Sequence, residues 1–445
     1  MRTGIGRLGA ACGVAVATLL AATSPIAAAS DPGAAAPPSG QDRDGHRVEY
    51  FSSPTAHPRH VEVPAATPRR LAGGSGSLAG DGDVTPIVEN GPTDDKLDVV
   101  VIGDGYTSAE LDRFHTDAKE KWHEITGVEP YTRYQNLFNV WAVDAVSAQS
   151  GVSGDPSQDV VKDTALDTYF WCDGLERLLC VDTDKVEGYA AKAPEADLVI
   201  VVANSAKYGG AGYNDVVSQL GYDGIATVAG GNEQSGQVAV HETGHSLGKL
   251  ADEYFYDEYG EYTGPEPPDV NTSTHTAREL ADLRAKWYRW LGEPTPDGGT
   301  IAAFEGGGYH PKGLYRPSEN SIMRTLGREF NTVGREAMIA GFYRHATSLA
   351  SSTPTDRRLT RKDTVRVRVP RPAGEGSPVA LRWYLDGKEV RSLRGDRTVA
   401  VKKLIGRHDW RTHRLTARAQ DPTPAVRDPA LRAELTDTLT WTAGR

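Results

Sequence analysis

The chain has 445 residues but only three cysteines and three methionines, and acidic residues outnumber basic ones to give a formal net charge of −11. Each scarcity excludes something. Three cysteines are too few to staple a disulfide-built scaffold, and the absence of a histidine near the two that follow the N-terminal segment argues against a cysteine zinc site. The lack of a basic excess argues against nucleic acid or an anionic membrane as partner. Beyond the N-terminal segment no apolar run is long enough to span a bilayer. Apolar residues are not lacking, at 38% hydrophobic against 24% charged, which fits a soluble protein with a sizeable core. The length predicts two or three domains.

Residues 1–30 read as a secretory signal peptide. Arg2 and Arg7 supply positive charge, an alanine-rich apolar run follows over residues 8–22, and Ala27, Ala28, Ala29 and Ser30 offer a small-residue cleavage site. The mature protein is therefore expected to be secreted and extracellular. Cys12 falls in the signal, which leaves Cys172 and Cys180 to form one disulfide closing a small loop. Residues 31–90 are rich in Ala, Pro, Gly and Ser and read as a pro-segment or flexible N-terminal region. Residues 73–82 form its linker, and residues 46–63 hold some β-prone side chains.

A globular domain is expected over residues 91–355, of mixed α and β class (α/β, or α+β). Residues 97–103 are a β-branched apolar run, a buried strand, and residues 138–146, 197–203 and 224–229 read the same way. Thr107 and Glu110 make a capping box ahead of Leu111, Phe114, Ala118, Trp122 and Ile125 at helical spacing, with Gly127 as the stop. Helices are predicted over 235–248, 276–291 and 334–347. From 360 to 445 the pattern turns to short alternating strands at 364–369, 380–384, 388–390, 398–404, 414–419 and 435–442. That predicts a small all-β sandwich, in which Arg382-Trp-Tyr-Leu-Asp-Gly-Lys388 resembles an immunoglobulin-like strand and hairpin.

The chemistry concentrates at His241-Glu242-Thr243-Gly244-His245. On a helix, residues four apart lie on one face about a turn apart, so two imidazoles can reach one zinc ion while Glu242 between them acts on a zinc-bound water. A catalytic site of this kind has three protein ligands and one open position. A straight helix would carry Asp252 ~10 Å beyond His245, too far to share a metal. The helix must therefore break, and Gly248 is expected to break it through a positive φ. Asp252 is the favoured third ligand, with Glu253 the alternative. The sequon Asn271-Thr-Ser273 has force only in a glycosylating host.

This arrangement resembles the metzincin group of zinc peptidases. There a glycine three residues past the second histidine precedes a third ligand three residues further on. That place is Ala251 here, which cannot bind metal, and Asp252 and Glu253 follow it. Ser321-Ile322-Met323-Arg324 matches the tight methionine turn of that group, with Thr325 where some members have tyrosine. Over roughly residues 85–350 the chain resembles the secreted zinc metallopeptidases named for a bacterial IgA peptidase. The residues concerned are Lys96-Leu-Asp-Val-Val-Val-Ile-Gly-Asp-Gly-Tyr106, Phe138-Asn-Val-Trp-Ala-Val-Asp144, the run from His241 to Tyr254, and Gly313-Leu-Tyr-Arg-Pro317.

The resemblance implies a zincin-like catalytic domain and one catalytic zinc on His241, His245 and an acidic ligand. It also implies hydrolysis of protein or peptide substrates with Glu242 as general base. It does not establish that immunoglobulin is cut. Tyr254, Tyr309, His310 and Arg324 are the candidates for stabilising the oxyanion. By analogy with zincins, where an edge strand ahead of the active helix pairs with extended substrate, the resemblance implies that role for the strand at 224–229. The rival reading is a non-catalytic, metal-containing extracellular binding protein. The intact Glu242 speaks for catalysis, because a structural metal needs no base beside it.

Overall fold

A computed structural model describes residues 45–64, 79–373 and 379–444. The signal segment and residues 73–78 of the linker lie outside the described residues. The chain opens with an antiparallel hairpin, β1 (Gly45–Tyr50) and β2 (Arg59–Pro64). Then follow β3 (Val84–Val88), β4 (Leu97–Asp104), helix α1 (Leu111–Thr126), the single turn α2 (Tyr131–Tyr134) and β5 (Phe138–Val143). Helix α3 (Thr183–Ala190) leads to β6 (Leu198–Ala203), β7 (Gly210–Tyr213) and β8 (Ile225–Ala229).

These eight strands form one mixed sheet in the order β2-β1-β7-β8-β6-β4-β5-β3. The inner strands β5, β4, β6 and β8 run parallel, and the flanking pairs are antiparallel. Parallel strands need both faces covered, and every residue of β4 is buried. Side chains alternate along it. Leu97, Val99 and Val101 face a core shared with Phe114 and Trp122 of α1, while Val100 and Ile102 face a second core that includes the disulfide-linked Cys172 and Cys180.

The capping box forms as expected. The backbone N–H and the hydroxyl of Thr107 both donate to Glu110 Oε2, at 3.0 and 2.8 Å. Helix α4 (Gly236–Ser246) carries both histidines, and α5 (Ala277–Leu283) follows. The predicted helix over 276–291 is cut short. Arg284 adopts a left-handed φ of 53°, and a turn of 3₁₀ helix at Tyr288–Trp290 then lets Trp287 and Trp290 bury against Leu280, Ile301 and Val333. Tertiary burial of two indoles thus overrides a helical pattern. Strands β9 (Phe304–Gly307) and β10 (His310–Arg316) make a separate hairpin ahead of helix α6 (Thr332–His345).

The C-terminal part has β11 (Ala350–Ser351), β12 (Thr364–Arg368), β13 (Ala380–Leu385), β14 (Lys388–Glu389), β15 (Thr398–Ala400), β16 (His413–Gln420), helix α7 (Pro429–Glu434) and β17 (Thr436–Ala443). They form a three-stranded sheet, β11-β12-β15, and a four-stranded one, β14-β13-β16-β17. Both feed one apolar core in which Trp383 and Trp441 stack. The β13–β14 turn is Asp386-Gly387, both at positive φ, as a two-residue hairpin turn requires. This part docks on the rest through buried Asp421, which accepts hydrogen bonds from the Tyr134 and Tyr343 hydroxyls at 3.0 Å each. No helix among the described residues is long and apolar enough to cross a membrane.

Candidate metal centre

Helix α4 packs under the sheet beside β8 and β7, with His241 fully buried and His245 nearly so. Each imidazole is oriented by its Nδ1, which donates to a backbone carbonyl: His241 to Ile322 at 2.9 Å and His245 to Leu250 at 2.7 Å. Such a bond fixes the ring and presents the Nε2 lone pair for a metal. The two Nε2 atoms stand 3.1 Å apart.

After α4 the chain breaks as the ligand argument requires, but not at the expected residue. Gly248 has no positive φ; the left-handed residue is Lys249, at φ 50°. Gly248 is needed for space instead, since a Cβ there would meet the Gly244 carbonyl at 2.6 Å and Met338 Sδ at 2.8 Å. The chain beyond is tied down by backbone hydrogen bonds from Gly308 to the Asp252 carbonyl at 2.9 Å and from Tyr309 to the Tyr254 carbonyl at 3.1 Å.

Asp252 faces the histidines, and Glu253 faces away from them. Asn271 clamps both backbone polar groups of Ala251, each at 2.8 Å. Glu253 receives hydrogen bonds from Ser321, Asn331 and Asn271 at 2.7 to 3.1 Å, and its backbone N–H donates to the Met323 carbonyl at 2.8 Å. Asn271 of the sequon is itself fully buried.

Asp252 Oδ1 lies 3.3 Å from both Nε2 atoms, completing a triangle with sides of 3.1, 3.3 and 3.3 Å. Ligands about 2.0–2.1 Å from a tetrahedral zinc ion stand ~3.3 Å apart, so this triangle is one face of such a tetrahedron. Asp252 Oδ1 is buried and receives no hydrogen bond; Oδ2 accepts one from the Tyr309 hydroxyl at 2.7 Å. An unsatisfied buried carboxylate oxygen aimed at two imidazole nitrogens fits a cation between them.

A fourth group at the site was not foreseen. Glu49, from β1, is buried with Oε1 3.3 Å from His241 Nε2 and Oε2 3.2 Å from His245 Nε2. Its Oε1 also accepts a hydrogen bond from the Tyr254 hydroxyl at 2.9 Å. Glu49, His241, His245 and Asp252 thus form a set able to hold a metal ion, with their ligand atoms all within 4.8 Å of one another. The sequence signal for Glu49 is slight: one acidic residue among β-prone neighbours, far from the histidines along the chain.

The electrostatics follow from burying two anions beside two imidazoles. Burial and the Asp252 charge push Glu49 up, but the histidines outweigh them and leave it at about 2. Burial disfavours the charged form of His241, yet Glu49 and Asp252 hold its pKa at about 10. The cluster therefore draws in positive charge, which a divalent cation supplies as readily as protons do.

Glu242 sits beside the set. Its Oε2 accepts a hydrogen bond from Asn214 Nδ2 at 2.8 Å, while Oε1 is buried without a donor. Burial and the Glu49 charge push it up to about 8. Its carboxylate lies over Gly212 of β7, where a Cβ would come within 1.8 Å of Oε2. Met323 packs beneath α4, where a Cβ on Gly244 would meet its Sδ at 2.4 Å.

Tyr254 and Tyr309 both reach the cluster through their hydroxyls. His310 does not, its Nδ1 bonding the Gly260 carbonyl, and Arg324 stacks on Phe255. Strand β8 is not an edge, because β7 and then the β1–β2 hairpin lie outside it. The profile of the IgA peptidase M64 family matches residues 85–300 and 294–342, more than half of the chain. No curated protein matches it. The matched segments include α4, Asp252 and Met323, and exclude Glu49.

Proposed function

Since the chain belongs to the IgA peptidase M64 family, we propose that it is a secreted, zinc-dependent endopeptidase. The observation that carries the reading is the triangle of His241 Nε2, His245 Nε2 and Asp252 Oδ1, closed by an oxygen that lacks any hydrogen-bond donor. These three residues would hold the zinc ion. When bound, the ion supplies Lewis acidity that lowers the pKa of a water towards ~7 and polarises the scissile carbonyl.

Glu242 takes a proton from the attacking water and passes it to the leaving amine. Asn214 positions it by holding Oε2, which leaves the buried Oε1 without a donor and free to take that proton. Tyr254 is the oxyanion donor of choice, because its hydroxyl already donates to a carboxylate oxygen beside the two histidines. Tyr309 is committed to Asp252 and positions that ligand.

In this reading residues 1–30 are the signal peptide, and residues 91–355 are a zincin-like catalytic domain. Residues 360–445 are an immunoglobulin-like sandwich. The partner is a protein or peptide substrate, not nucleic acid or membrane. The Cys172–Cys180 disulfide fits an oxidising destination. The test is Glu242→Gln, which should keep its zinc and lose casein hydrolysis by ~10²–10⁴-fold, the usual contribution of a general base. Undiminished hydrolysis in that variant would sink the mechanism.

A further inference from the structure

Strand β1 brings to the metal centre a carboxylate that the matched family segments do not include. Alternate residues of a strand share a face, and here Glu49 and Phe51 both point at α4. The Glu49 carboxylate spans the two Nε2 atoms at 3.3 and 3.2 Å. Two residues on, the Phe51 ring meets His241 edge-on at 5.0 Å and packs among Tyr208, Val238 and Leu326, an apolar pocket beside the histidines. The strand pairs antiparallel with β7, setting Glu49 opposite Gly212, the residue over which the Glu242 carboxylate lies.

A hydrolytic metal needs one open position. An extended peptide added to a sheet edge gives its backbone to the strand and its alternate side chains to pockets. One segment of this chain takes both places. The hairpin is held by two paired positions on β7, by the Arg47 N–H on Asp215 at 3.0 Å and by His46 on Thr183 at 3.0 Å, besides its packing. It joins the rest of the fold through a Gly- and Ser-rich stretch.

We infer that residues 47–51 lie in the cleft as a peptide substrate does, and that the Glu49 carboxylate closes the metal position at which water is activated. The inference rests on the peptidase reading and adds its regulation: hydrolysis is held down to the minor fraction of molecules from which β1 has left. It also names a substrate class, namely polypeptides that place a large apolar or aromatic side chain in the pocket Phe51 fills.

The test uses zinc-loaded and cobalt-loaded full-length protein, as wild type, Glu49→Gln and Glu49→Ala. The readouts are bound metal, affinity for acetohydroxamate by calorimetry, and the visible spectrum of the cobalt form; casein hydrolysis is followed separately. If the locked form makes up nine-tenths of the protein or more, apparent affinity is reduced at least ~10-fold. Both variants should therefore keep the metal, bind the hydroxamate at least ~10-fold more tightly and change the cobalt spectrum.

Equal hydroxamate affinity and an unchanged spectrum in all three proteins would overturn the lock. So would loss of the metal from both variants, which would make Glu49 a permanent ligand. Tighter hydroxamate binding without casein cleavage supports the lock and counts against the peptidase reading. Equal affinity with equal casein cleavage does the reverse.

Discussion

Two carbonyl groups decide what the histidines can do. Ile322 and Leu250 each accept a hydrogen bond from an Nδ1–H, so both Nε2 atoms are left to converge. Neither carbonyl was legible in the sequence, because side-chain-to-backbone bonds carry no residue code. The choice between Asp252 and Glu253 was open for the same reason. It turns on which way each side chain faces, and Asn271, Ser321 and Asn331 set that by holding Glu253 on the far side. Asp252→Ala should thus lose zinc. Glu253→Ala should retain it but be less stable by about 1–3 kcal/mol, the usual cost of leaving a buried donor unsatisfied. Zinc content and a denaturation midpoint on the two variants check this, and the opposite pattern would exchange their roles.

At the scale of elements, α4 is positioned by contacts rather than by propensity. Its pattern of two histidines on one arc was readable from spacing alone. Its seat was only partly so: Ser321-Ile322-Met323 could be picked out as a turn, but not that Gly244 exists to admit the Met323 sulfur. A methyl group there must displace Met323 or Phe330. Gly244→Ala should cost about 1–3 kcal/mol, as overpacking does, and weaken metal binding by tilting the helix. A variant with unchanged midpoint and metal affinity would refute the tight seat. The break after α4 shows a limit of residue-type reasoning. Residue type points to glycine for the left-handed position, yet Lys249 adopts that conformation and Gly248 serves close packing.

For the whole molecule, the buried parallel strands were legible because β-branched runs have few other uses. The order of strands was not. Residues 46–63 showed only β-prone composition, and nothing local says that they pair with β7 and cover what would otherwise be the edge of the sheet. Long-range pairing also ties α6 to the sheet, through His345 Nδ1 on Asp197 at 3.0 Å and Nε2 on Asp223 at 3.1 Å. Burial works against the imidazolium, but the two carboxylates raise His345 to about 9. A raised folded-state pKa contributes stability that is fully present below the unfolded value of about 6.5 and fades as pH rises through the folded one. The melting temperature of the wild type should fall between about pH 7 and pH 10 by more than that of His345→Gln. Equal falls would remove His345 from the account.

The most direct test of metal-dependent peptide hydrolysis at this cluster is incubation of full-length Glu49→Ala protein with a peptide library, with and without a chelator. The account predicts cleavage, richest at sites offering a large apolar side chain, that the chelator abolishes and an added Glu242→Gln removes. A metal-bearing protein that cuts nothing, or cutting that survives the chelator, would contradict it.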